Sequence, residues 1–380
     1  SLAQFGPKYP PDLSNHIRSL ASNRALGNFD KIIDKSGMAK EHSTTYHIFN
    51  HNLYKNIFKL IGNNETATDK LLKYLKMNDV LLQLVKPDLT FPLWGDSQIE
   101  ILNPKIIADF GDDARLSATY ENYDLKSNVN FENNIATLRT NTKDKSYLAL
   151  FANYNSVVHK HHDDLSIVFQ TFGTDIFTDQ GYYGYDKKYR PQLTSVFAHN
   201  TVAINNEDYT IGKKNQYSKI NSYTRNNDFE TVEASHNMYD SLTVSRKVYF
   251  VKPNLVIMKD SANGLKKVNS LHQIFNLAKG ASKIEIMENK INFSMPKNLN
   301  ISMFTTNKDN KFIKREFYRS VKPFNIEDSY QIILESNKQN VTTFILIDSD
   351  AYELKITNPK LKDDILYYYK GNEKHQIDLH

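Results

Sequence analysis

The chain has 380 residues, 40% of them hydrophobic and 24% charged, enough to bury a sizeable core and far from a disordered or collagen-like composition. Lys and Arg outnumber Asp and Glu by 48 to 43, and this net charge of +5 suits a polyanionic ligand but falls short of a nucleic-acid binder, so no nucleic-acid partner is expected. With no cysteine, disulfides, thiolate catalysis and cysteine-zinc sites are excluded, and any metal has to be held by histidine and carboxylate.

From Asp12 to about Lys86 the pattern is helical. Ile17 and Leu20 belong to one segment, and Phe49, Leu53, Ile57 and Ile61 recur at the spacing of a single helix face. Asp69 is placed to cap a third, leucine-rich segment that Pro87 closes ahead of the polar turn Trp94-Gly95-Asp96-Ser97. After about Phe110 the period changes to that of strands: Tyr147 to Phe151, Leu165 to Phe172, Leu242 to Phe250, Leu255 to Met258, Tyr330 to Leu334 and Val341 to Ile347. Asn, Asp, Gly and Lys clusters separate them, as in antiparallel sheets. Helices followed by strands predict an α+β chain of two parts, a helical one over 1–107 and an antiparallel β one over 108–380. No apolar run reaches the roughly 18 residues of a membrane span, and no signal peptide is visible. The start at Ser1-Leu2 is equally compatible with a removed leader or a removed longer region.

Eight of the twelve histidines fall in two windows, His16, His42, His47 and His51 in one and His159, His161, His162 and His199 in the other. The second window opens with His159-Lys160-His161-His162-Asp163-Asp164 ahead of an apolar run. Read as the entry to a strand, it puts His159, His161 and Asp163 on one face, with His162 and Asp164 opposite. Asp179-Gln180-Gly181 and His199-Asn200-Thr201 follow, so two histidines and a carboxylate from separate strands offer a zinc-like set of donors. Surface histidines in a polar hairpin are the plainer alternative.

The string HKHHDDLSI, followed by FTDQGYYGY, Arg190 and AHNTVAI, resembles the β-domain signature of the heparinase II/III-like polysaccharide lyases. Gly37 to His47, GMAKEHSTTYH, is similar to the motif that the same family carries on its toroid helices. The resemblance implies an α/α toroid, here partial, followed by a large antiparallel β-sandwich. It implies one structural divalent metal, zinc in most members, on His161, Asp179 and His199. Tyr46 is then the catalytic acid or base, His159 faces the substrate, and Asn15 and His16 correspond to an Asn-His pair lining the cleft. Ser43 or Thr44 can cap the helix and put Tyr46 in its first turn, where the partial positive charge of the helix end attracts an anionic sugar. The plainer alternative is that Tyr46 and His47 merely pack under a loop.

The chemistry these residues imply is β-elimination on a uronic-acid-containing polysaccharide. Asn15 and His159 are expected to neutralise the sugar carboxylate and stabilise the charge that develops on it. Tyr46 and His16 are expected to remove the C5 proton and protonate the departing O4. Tyr183, Tyr185 and Arg190 follow Asp179 closely and are expected to bind substrate, Arg190 as a fork on a carboxylate or sulfate. The implied setting is extracellular, cell-surface or periplasmic. Only about a hundred residues are available for the toroid, which leaves a natural short form, a fragment, or a cleft completed by another subunit of a homo-oligomer. Two rival readings are a non-catalytic carbohydrate-binding protein on the same fold and a glycoside hydrolase, for which Asp163 and Asp164 are the clearest pair of carboxylates.

Overall fold

Helices give way to strands along the chain, and all the paired strands are antiparallel. The structure, a computed structural model, describes residues 10–61, 65–352 and 354–379. Helix α1 (Pro11–Ile32) opens on a proline with Asp12 in its first turn, where a missing N–H and a negative charge both suit the helix start. Helices α2 (Thr44–Ile61) and α3 (Glu65–Leu84) follow. Asp69 lies inside α3 and does not cap it. Two short helices come next, α4 (Pro104–Asp109), capped by the Asn103 side chain, and α5 (Ala114–Glu121), capped by Asp113. Position 107 therefore falls within α4, and helix persists to Glu121.

The stripe of α2 that begins at Phe49 is turned only in part to the core, where half-buried Ile57 packs with Phe29 and Tyr54. Phe49 is 59% and Leu53 42% exposed, while the helix buries His47, Ile48, Asn50, His51 and Tyr54. Apart from Ile48, the inward face consists of polar and ring side chains, most of them with hydrogen-bond partners inside. His47 accepts from the Ala39 N–H at 3.3 Å and turns its other nitrogen to the Met77 carbonyl at 3.0 Å. In α3, likewise, Leu71, Leu72 and Leu75 are exposed, and Met77, Val80, Leu81 and Leu84 are buried. A periodicity count that scores only aliphatic residues selects the wrong face here.

The strands form a sandwich. Its largest sheet has eight strands, in the spatial order Ser282–Met287, Lys290–Met295, Leu299–Phe304, Asn340–Asp348, Leu255–Gly264, Leu242–Val251, Phe229–His236 and Ser218–Arg225. Facing it is a five-stranded meander, β1 (Asn128–Asn130), β2 (Ile135–Arg139), β3 (Tyr147–Phe151), β4 (Ser166–Thr171) and β5 (Thr174–Phe177). A four-stranded sheet of Lys311–Arg319, Glu327–Ser336, Leu271–Asn276 and Val202–Ile204 continues this layer through a bridge from Phe177 to Leu277. A three-stranded sheet over Ile356–Lys362, Ile365–Lys370 and Glu373–Asp378 packs on the outside.

Strands β2 and β3 are buried at every position, and alternation explains why. Leu138, Leu148 and Leu150 point into the sandwich core with Val232, Val244 and Ile332. Ile135, Tyr147, Ala149 and Phe151 point out the other side and pack with Val80, Leu81, Leu84 and Trp94 of the helical part. Polar contacts reinforce this seam. The last-turn carbonyls of α3 have no partner within the helix, and the sheet supplies them: the Arg139 guanidinium reaches Gln83 O at 2.5 Å and the Tyr147 hydroxyl reaches Leu84 O at 2.9 Å. Within the sandwich, Arg246 and Asp260 form a fully buried bidentate pair at 2.8 and 2.7 Å.

Burial keeps several histidines in neutral form, pushing His42 down to about 3 and both His47 and His236 to about 4, with His51 lower still at about 2. Their folded values lie below the ordinary histidine value, so the unfolded chain takes up the proton first. Stability is therefore complete above about pH 6.5 and falls as pH drops toward the folded values, by about 1.4 kcal/mol per pH unit for each group. A thermal melt followed from pH 7 to pH 4 is expected to shift steadily downward; a flat midpoint over that range would contradict the burial of these rings.

Candidate functional site

The site lies where the start of α2 meets the loop that runs into β4. Ser43 caps α2, its hydroxyl accepting from the Tyr46 N–H at 3.2 Å, which sets Tyr46 in the first turn as expected. Ser43 also donates to the Asp96 carbonyl at 2.8 Å, and Ser97 Oγ accepts from the Thr44 N–H at 2.9 Å. These bonds fix the Trp94 to Ser97 turn against the helix end. Gly95, at φ +57°, is required there: a Cβ would stand 1.9 Å from the His42 carbonyl oxygen and 2.8 Å from that of His159.

The stretch from His159 to Leu165 is a turn, and β4 begins only at Ser166. His159 (φ +54°) and Leu165 (φ +61°) bend the backbone into the left-handed region, so alternation does not apply. Lys160, buried, turns inward and pairs with both Asp163 and Asp164, the latter at 3.2 Å. The two carboxylates therefore converge on one ammonium, where they are unavailable as the acid and base of a hydrolase. Burial opposes the Lys160 charge, but these two aspartates outweigh it and raise its pKa. His162 turns aside and bridges the carbonyls of Thr194 and Tyr209 at 2.7 and 2.8 Å.

His159 and Tyr46 meet face to face, with ring centroids 3.7 Å apart and planes 12° apart. Glu41 flanks them, its Oε2 3.0 Å from His159 Nδ1. The Tyr185 hydroxyl interacts with that of Tyr46 and donates to Asp96 Oδ2 at 3.2 Å. Partial burial, the Tyr46 contact and the Asp96 charge all raise the Tyr185 pKa and favour its protonated form, although most of its ring is exposed. Tyr183 sits apart, packed against Tyr189 and Phe324.

Asp96 has no particular signal in the sequence, yet it is the hub of the site. Its buried carboxylate accepts from His161 Nε2 at 2.7 Å and from both arms of Arg190 at 2.9 and 3.2 Å. Burial alone would raise its pKa; the hydrogen bond from His161 and the Arg190 guanidinium outweigh that and hold it below the usual range. The fork of Arg190, expected to grip a sugar anion, is thus occupied by a carboxylate of the protein itself. Asn15 and His16 are exposed on the first turns of α1 and make no contact with Tyr46 or His159 among the described residues.

Of the expected metal ligands, none lies within a strand. His161 is in the turn, Asp179 follows β5, and His199 ends a single helical turn, Val196–Ala198. The His161 and His199 rings are 5.3 Å apart, and His199 Nδ1 lies 2.6 Å from Asp179 Oδ2. Burial lowers the His161 pKa, so the neutral ring gives its Nε2–H to Asp96. His161 Nδ1 and His199 Nε2 are buried without a hydrogen-bond partner. Two unpartnered imidazole nitrogens, each on a ring oriented by a carboxylate, match the chemistry of a zinc donor set. Among the described residues, however, no three His, Asp or Glu groups converge at metal-holding distance.

A family model described as heparinase II/III-like, C-terminal, matches residues 135–358. No curated protein matches the chain. Among solved structures, the heparan sulfate lyase HepC of Pedobacter heparinus superposes with a TM-score of 0.80 at 17% identity, over 96% of this chain and 63% of that one. A structure described as heparinase III gives 0.80 at 18% identity, over 99% of this chain and 65% of that one. A further heparinase III gene product gives 0.74 at 17%, over 94% and 60%. At these identities the likeness is one of fold, and the chain spans less than two thirds of the length of these structures.

Replacing Asp96 with Ala strips the shared acceptor from His161, Arg190 and Tyr185. Chemical denaturation is expected to show a loss of about 3–5 kcal/mol, the range for breaking a buried ion pair on one side. A loss below about 1 kcal/mol, as for a surface pair, would refute its role as the hub.

Proposed function

This chain belongs to the heparinase II/III-like family, and we propose that it is a polysaccharide lyase that cleaves a uronic-acid-containing anionic polysaccharide by β-elimination. The observation that carries the reading is the Tyr46–His159 stack, a phenol and an imidazole side by side at a capped helix start. In a 4-linked uronate the base takes the proton from C5, the electron pair forms the C4–C5 double bond, and the C4–O4 bond breaks. The departing O4 takes up a proton, leaving a 4,5-unsaturated uronate on the new non-reducing end.

Tyr46 is the base in this scheme, and His159 meets the sugar carboxylate whose developing negative charge has to be stabilised. The acid is Tyr185, whose protonated hydroxyl lies beside that of Tyr46. Sequence reasoning assigned that role to His16 and carboxylate neutralisation in part to Asn15; neither touches the pair among the described residues, which favours Tyr185 as the acid. Arg190 contributes positive charge beside the Tyr185 ring, 4.5 Å from its centre, while Asp96 retains its fork.

The same proposal includes one Zn2+ on His161, Asp179 and His199, supported by the two unpartnered imidazole nitrogens. When bound, such an ion supplies a cross-link among three loop segments next to His159. A partial toroid that includes the helices up to Glu121, a sandwich after it, and an extracellular, cell-surface or periplasmic place of action belong to this reading too. The names of the matched structures, heparan sulfate lyase and heparinase III, favour a glycosaminoglycan as the substrate to try first.

Ultraviolet absorbance of the unsaturated uronate, followed on heparan, chondroitin, hyaluronan, alginate and capsule polysaccharides, tests the activity. Binding without product on the whole panel would favour a carbohydrate-binding protein instead. Tyr46→Phe is expected to reduce turnover by at least about 10²-fold, the usual contribution of one proton transfer, with binding retained; full activity in that variant would remove Tyr46 from the mechanism. For the metal, elemental analysis of the purified chain is expected to find zinc, and to find it lost in His161→Ala. Equal metal content in both proteins would exclude His161 as a ligand.

A further inference from the structure

We infer that Glu41 is a positioning residue for the elimination, holding the His159 ring so that Nε2 alone is presented to the sugar; this rests on the lyase reading above. Glu41 lies in the link between α1 and α2, and both of its carboxylate oxygens are engaged. Oε2 stands 3.0 Å from His159 Nδ1, and Oε1 accepts from Asn50 Nδ2 at 2.9 Å. The same Asn50 amide donates to the Tyr46 carbonyl at 2.9 Å. One buried amide on α2 therefore sets the distance between the carboxylate that faces His159 and the backbone that carries Tyr46.

His159 needs such a partner. Its backbone is in the left-handed region, which a side chain with a Cβ adopts only where its surroundings impose it. The Gly95 turn packs against its carbonyl from below, but that fixes the peptide and leaves the ring free to rotate. Stacking on Tyr46 restrains the plane of the ring, though not which edge points outward. Nδ1 is buried and has no other hydrogen-bond partner, and a carboxylate can only accept, so the nitrogen 3.0 Å from it is the one that carries a hydrogen. Glu41 therefore selects Nδ1 as the inner atom and Nε2 as the outer one. The nearness of His159 is also the main reason the Glu41 carboxyl is held below its ordinary range. The side chains of Glu41 and His159 are 20% and 16% exposed, so the pair is sheltered from solvent while one edge of the ring still reaches it.

The experiment compares Glu41→Ala and Glu41→Gln with the parent chain by initial rates and by 1H–15N spectra of the histidine ring nitrogens. Glu41→Ala is expected to lower kcat by about 10²-fold, the cost of misplacing a reacting group by about an ångström, while KM changes by less than about threefold. Its His159 signals are expected to change from one fixed tautomer to an exchanging pair. Gln, whose amide oxygen can accept from Nδ1, is expected to recover about tenfold or more of the lost rate and to restore the single tautomer. An unchanged kcat in Glu41→Ala, a loss confined to KM, or a Gln variant no better than Ala would overturn the inference. If the parent chain forms no unsaturated product at all, the lyase reading fails, and the ring spectra decide the Glu41 assignment independently: a His159 tautomer indifferent to Glu41→Ala overturns it.

Discussion

The Asp96 carboxylate accepts from His161, from both arms of Arg190 and from Tyr185, and the rest of the site depends on that convergence. A buried carboxylate is costly unless it is paired and hydrogen-bonded on all sides, and this one is. Each of its partners is thereby fixed in a different direction. His161 is held with its ring 5.3 Å from that of His199, Tyr185 is brought to the Tyr46 hydroxyl, and Arg190 is drawn over the Tyr182 and Tyr185 rings. The backbone of the same turn fixes α2 through Ser43 and Ser97. One short segment thus orients the expected metal ligand, a phenol and the helix that carries Tyr46.

Such a turn can act as a reference point only if the helices and the sandwich do not slide past each other. The double-sided burial of β2 and β3 prevents this, because the same strands contribute to two cores. Arg139 and Tyr147 strengthen the seam by completing the hydrogen bonds of the last turn of α3. His42 adds a further tie: its neutral Nε2 accepts from the N–H groups of Asn155 and Ser156, both at 3.1 Å, and so joins the start of α2 to the loop that carries His159. The proton that would protonate His42 is the one that would break this tie, so acid lability and loss of site geometry have a common cause.

The parts of this arrangement that were legible in the sequence are those set by local rules. Period-two strands such as Tyr147–Phe151, the Ser43 cap and the placing of Tyr46 in a first turn all follow from neighbouring residues. The two histidine windows also mark the segments that the fold brings together at the candidate site, since Tyr46, His159, His161 and His199 lie in or beside them. What local rules could not supply was any contact that closes a distant pair. Asp96 looked like an ordinary turn residue because its partners lie far along the chain, on segments with no sequence relation to it. His159 to Asp164 looked like a strand entry because alternation ignores a lysine that folds back onto two aspartates. The buried face of α2 escapes a count of apolar spacing for a related reason: apart from Ile48 it is made mostly of His, Asn and Tyr, whose burial depends on partners supplied by other segments.

These failures share a physical origin that bears on the chemistry. A polar side chain goes inside only where a partner awaits it, so each misread residue marks a place where two remote segments meet in one geometry. Three such places, at Asp96, Lys160 and the Glu41–Asn50 pair, enclose the Tyr46–His159 stack. His159 stands against the Glu41 carboxylate, and the Tyr46 backbone is set by the Ser43 cap and the Asn50 amide, partners whose own orientation is fixed one step further out. Elimination from a uronate demands that a base and a charge-stabilising group act on adjacent atoms without rearrangement. On the lyase reading proposed above, rings braced in this way would meet that demand before any substrate arrives.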